Sequence, residues 1–129
     1  MVGEFATSYD VSDEMTIPAE ILSLVEQLTD ELDGIEWQAN KGLAKARQLL
    51  ERFPNNARLI GLSANVGNGL FFVDSFRNRI ESIIGRISGI NVSIDAIQQA
   101  GEELSEILGR ILECKMIVSR SVSILEDLQ

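Results

Sequence analysis

Apolar and small residues recur along this chain at alternating steps of four and three, in three long runs. The first run is Ile21, Val25, Leu28, Leu32, Ile35, Ala39, Gly42, Ala46, Leu49 and Phe53. The second is Leu59, Leu62, Val66, Gly69, Val73, Phe76, Ile80, Ile83, Ile87 and Ile90. The third is Ile97, Ala100, Leu104, Ile107, Ile111, Cys114, Val118, Ser121, Leu125 and Leu128, with a second phase through Leu108, Leu112 and Val122. Such spacing is a heptad a/d seam, the mark of a helix that packs one stripe against other helices.

The punctuation fits three helices, at about 17–53, 56–89 and 94–128. Pro18 suits a first helical turn. Phe53-Pro54 stops the first helix, because the residue before a proline is pushed out of the α region. Asn55 or Asn56 is placed to cap the second helix, and Ser93 or Asp95 the third. Each helix spans about 50 Å at 1.5 Å per residue. Short connections make consecutive helices antiparallel neighbours. The expected fold is therefore all-α, an antiparallel up-down-up bundle of three long helices.

One stretch argues locally for something else. Asn65-Val66-Gly67-Asn68-Gly69 has the chemistry of a turn, and a break there gives a four-helix alternative. The heptad phase is the same on both sides, which favours one continuous helix. Residues 1–15 have no sustained period and are expected to form a flexible leader, with Met15 an alternative start. Residues 16–129 are expected to form a single domain.

Charge sharpens the order of the helices. Acids fill the first half of helix one (Glu20, Glu26, Asp30, Glu31, Asp33, Glu36), and bases fill its second half (Lys41, Lys45, Arg47, Arg52). The second half of helix two carries Arg77, Arg79 and Arg86, and helix three opens on Asp95, Glu102, Glu103 and Glu106. An up-down-up order sets the basic segment between the two acidic ones. Exposed pairs are individually weak, but they discriminate between arrangements.

The 129 residues are enough for one core, and 45% apolar with 24% charged is globular composition. The net charge of −9 opposes nucleic-acid binding, which needs clustered Lys and Arg, and docking on anionic membranes. No run approaches the ~20 apolar residues of a transmembrane span. The one cysteine permits no internal disulfide and fits the reducing cytoplasm.

Chemistry is sparse. There is no histidine, hence neither the commonest general base nor the commonest transition-metal ligand. Cys114 lies on a seam, where a thiol behaves as a small buried hydrophobe. The carboxylate clusters lie mostly off the seams, as solvated faces do. Gly67-Asn68-Gly69 has neither the Lys-Ser/Thr nor the preceding strand of a phosphate loop. No catalytic, cofactor-binding or metal-binding residue is expected, and an enzyme is not.

The informative surplus is apolar residues off the seams: Trp37, Leu70, Phe71, Phe72, Leu108, Leu112 and Met116. They fall near one height of the bundle and form the candidate interface, since large apolar patches mark contact surfaces. A homo-oligomer, with a dimer first, is the expected partner, and another protein the next. The function expected is that of a non-enzymatic adaptor, scaffold or assembly factor. The alternative is a bundle holding a lipid, pigment or other small apolar ligand between its helices.

Overall fold

The computed structural model describes residues 17–128; the expected leader at 1–15 lies outside them. Three helices follow one another: α1 (Ala19–Arg52), α2 (Ala57–Ile87) and α3 (Ile94–Asp127). All three pairs pack together, which gives the up-down-up bundle.

Each helix starts within two residues of its predicted boundary. Pro18 stands at the cap of α1, and its carbonyl accepts from the N–H groups of Ile21 and Leu22 at 3.0 and 3.2 Å. The Asn56 side chain accepts from the Leu59 N–H, and Ser93 Oγ from the Ala96 N–H, both at 3.1 Å. These bonds satisfy donors that a helix start leaves without an internal partner. Between α2 and α3 the chain turns through Asn91 at φ 66°, a backbone region that asparagine tolerates better than most residues.

The four-helix alternative is overturned. Helix α2 runs unbroken through Asn65–Gly69, and Val66 and Gly69 are both buried on its seam. Burial of those two positions needs the helix to keep its phase, and this outweighs the local turn chemistry. The seams form the core almost as spaced, from Ile21 to Leu49, Leu59 to Ile87 and Ala100 to Leu125. They fail at the ends. Phe53 and Ile90 lie beyond the last helical turns and are exposed, and Val25 is half-buried.

The bundle narrows where α1 is small. Ala39, Gly42 and Ala46 are buried in succession. A Cβ on Gly42 would lie 2.6 Å from Val122 Cγ2 and 3.6 Å from Val66 Cγ1. A Cβ on Gly69 would overlap Val118 Cγ2. The two glycines thus receive valine methyl groups from α3. Nearby, Asn65 Nδ2 donates to the buried Ser121 Oγ at 3.5 Å.

The expected charge order is realised as pairs. Arg77 meets Asp33 at 2.8 Å and Glu36 at 3.0 Å, between α2 and α1. Arg86 meets Glu103 at 2.9 Å, between α2 and α3. Between the parallel α1 and α3, Lys115 meets Glu31 at 2.9 Å and Lys41 meets Glu126 at 3.1 Å. The Arg77 guanidinium is held above its ordinary pKa chiefly by its hydrogen bond to Glu36.

Glycine substitutions separate close packing from helix propensity. Gly61 and Gly85 have open space around a Cβ, so Gly61→Ala and Gly85→Ala should each stabilise by about 0.5–1 kcal/mol. Gly42→Ala should destabilise by about 1 kcal/mol or more, because a stiff, β-branched Val122 cannot swing aside. Urea unfolding midpoints check both signs.

Candidate interaction surface

Heptad positions and observed pairings together fix which way each helix face points. Take Val25, Val66 and Leu104 as a positions. Then Glu36 and Arg77 are e residues facing across α1 and α2. Glu31 (g) faces Lys115 (e) across α1 and α3, and Arg86 faces Glu103, g to g, across α2 and α3. The f positions therefore point away from the bundle. They are Trp37, Phe71 and Met116, exposed by 66, 66 and 61%. They share a height but project in three directions, roughly 120° apart around a three-helix bundle.

The seven candidate interface residues accordingly divide. Leu70 and Leu108, at e positions, are half-buried and pack against the core. Trp37 stands alone on α1, with Lys41 Nζ 5.0 Å from its ring centre. Leu112 and Met116 lie on the side and outer face of α3. Phe71 and Phe72 are brought together edge to face, with ring centres 5.8 Å apart, and Phe72 lies 6.4 Å from Phe76.

Phe72 and Phe76 wall an open groove of about 480 Å³ between α2 and α3. Its floor is Gly69, Cys114 and Val118, and Ile117 forms the opposite wall. Small floor residues leave the trough. Asn65, Asn68, Arg110 and Glu113 supply polar groups around it, and all four are exposed. Ile117 was not among the expected interface residues, although its g position beside the seam was the available signal. A larger signal is also legible in the sequence: residues 59–73 of α2 contain no charged side chain. A helix apolar or neutral on all sides is normally covered on all sides, yet Ile60, Phe71 and Phe72 are about half exposed or more.

Two further grooves follow the other helix pairs. The one between α1 and α2 is lined by Val25, Thr29, Ile80 and Ile84 beside Arg77 and Glu81. The one between α1 and α3 is lined mostly by polar residues, among them Asp30, Glu31, Gln38 and Lys115. Among the described residues, no three of His, Cys, Asp and Glu converge to hold a metal ion, and no helix is long and apolar enough to cross a membrane. No protein-family model matches the chain, and no curated protein or solved structure is significantly similar to it.

Cys114 is 8% exposed, and burial pushes its thiol pKa up. The unfolded chain, with an ordinary thiol, gives up this proton first. Stability should therefore hold up to the usual thiol range near 8.5 and fall as pH rises from there towards the raised pKa of the buried thiol. Thermal midpoints across that range should show the fall, and Cys114→Ala should flatten it. A thiol reagent should label native protein slowly and unfolded protein at once.

Proposed function

We propose that this protein is a non-catalytic helical interaction module of the cytoplasm, working as an adaptor, scaffold or assembly factor. It associates with itself and takes the apolar side of a partner helix against the α2–α3 face. The observation that carries this is the charge-free stretch 59–73, which leaves Ile60, Phe71 and Phe72 in solvent. Helix-in-groove recognition needs such a surface: aromatic walls, an apolar floor and polar groups at the margins to set register.

A second reading has one observation behind it. The open α2–α3 groove is large enough for a small apolar ligand. The space between the seams offers less, since Val122 and Val118 occupy the hollows at Gly42 and Gly69. Native mass spectrometry of freshly purified protein separates the two, because a retained small molecule adds mass.

The interaction reading makes a direct prediction. Phe71→Glu with Phe72→Glu changes two exposed positions, so helical circular dichroism should be kept. Used as bait in native lysate beside the unaltered chain, the variant should lose the proteins that the unaltered chain retains. An identical catch from both baits would sink the reading.

A further inference from the structure

We propose that the outward face of α1 pairs with the same face of a second copy of this chain, antiparallel, about a two-fold axis at Trp37. This names the face and orientation of the self-association proposed above, and it uses a surface separate from the α2–α3 groove.

The face changes sign at its centre. Glu26, Asp30 and Asp33 precede Trp37 on the outer b and f positions; Lys41 and Arg47 follow it at c and b, with Glu51, at f, the one acid after Trp37 in α1. Turn a second copy end for end about Trp37 and its Lys41 comes level with Asp33. Its Arg47 comes level with the turn holding Glu26 and Asp30. Glu26, Asp30 and Asp33 then lie level with, or within one turn of, a base, while Glu51 falls level with the uncharged Ser23; the match over the central turns is the self-complementarity an isologous two-fold contact requires. A parallel copy would set acid against acid.

The groups concerned are available. Among the described residues, Glu26, Asp30 and Arg47 form no ion pair within the chain, while Asp33 and Lys41 pair with Arg77 and Glu126 at the surface. Such exposed pairs exchange at little cost. Trp37 supplies the apolar anchor that a charged face otherwise lacks, and tryptophan is the residue most often found at the energetic centre of a contact. Gly34 and Ala44, one and two turns from Trp37, are exposed and small, so another helix can come close.

The described residues as a whole show the same polarity. Cut at mid-length, one half (residues 17–36 and 74–114) holds thirteen acids and four bases, for a net −9. The other half (residues 37–73 and 115–128) holds seven bases and three acids, for a net +4. Antiparallel pairing lays the +4 half of each copy on the −9 half of the other. The outer face of α3 offers a poorer match, because its second half sets one base, Arg120, against Glu126 and Asp127, where α1 sets Lys41 and Arg47 against Glu51 alone. The face of α2 has no charge over 59–73 with which to set a register.

Sedimentation equilibrium and Trp emission on the full chain test this. The unaltered protein should weigh twice its 14.2 kDa, and the emission of its only tryptophan should shift to the blue as concentration rises. Glu26→Lys with Asp30→Lys should weaken the dimer at least tenfold, and so should Lys41→Glu with Arg47→Glu. An equimolar mixture of the two variants should restore both the mass and the blue shift, a rescue that misfolded variants cannot give. A monomeric unaltered chain, variants that dimerise as it does, or a mixture that stays monomeric would each overturn the proposal. If the dimer survives both α1 variants and is lost in Phe71→Glu, Phe72→Glu, this pairing is wrong while the α2–α3 surface stands. If that variant keeps the dimer and loses only its lysate partners, both surfaces stand.

Discussion

At mid-length the helices approach so closely that residue 69 has no room for a Cβ beside Val118, and residue 42 almost none beside Val122. Much of the rest follows from this contact. For Val66 and Gly69 to point inward together, α2 must keep its phase through a segment whose local chemistry is that of a turn. Holding that segment helical costs about 1 kcal/mol for each interior glycine. The returns are the burial of Val66, Val73, Val118 and Val122 against one another's helices and the hydrogen-bonded backbone of an unbroken helix. The asparagines of the same segment then turn outward. Asn65 reaches Ser121, and Asn68 stands beside the groove.

How much of this is legible in the sequence depends on where a residue lies along the bundle. In the middle, each seam residue has two neighbouring helices, and heptad spacing alone identifies it as buried. At the ends that condition lapses. Phe53 and Ile90 continue the spacing, but the helices have stopped at Arg52 and Ile87, so they are exposed. Periodicity describes a helix face and carries no information about whether anything covers it.

The interface candidates show the same limit from the other side. Spacing put Trp37, Leu70, Phe71, Phe72, Leu108, Leu112 and Met116 off the seams, at similar heights. It did not separate the e positions, which a three-helix core half-covers, from the f positions, which it leaves bare. Leu70 and Leu108 belong to the first kind, and Trp37, Phe71 and Met116 to the second. The groove between Phe72 and Ile117 was harder still to anticipate, since it arises from small residues on its floor.

Charge and apolar surface have different tasks here. The pairs from Arg77, Arg86, Lys115 and Lys41 are exposed, and each contributes little to stability. What they do is distinguish one order of helices from another that would bury the same seams. A reversed α1 would place its acids beside Arg58 and the charge-free part of α2, and its bases beside Arg77, Arg79 and Arg86. The same logic limits what charge can do between copies. Sign reversal about Trp37 can select an orientation, but screened surface pairs do not hold two bundles together at physiological salt. Affinity has to come from apolar area desolvated at the centre of the contact. On α1 that centre is one indole with a lysine above it.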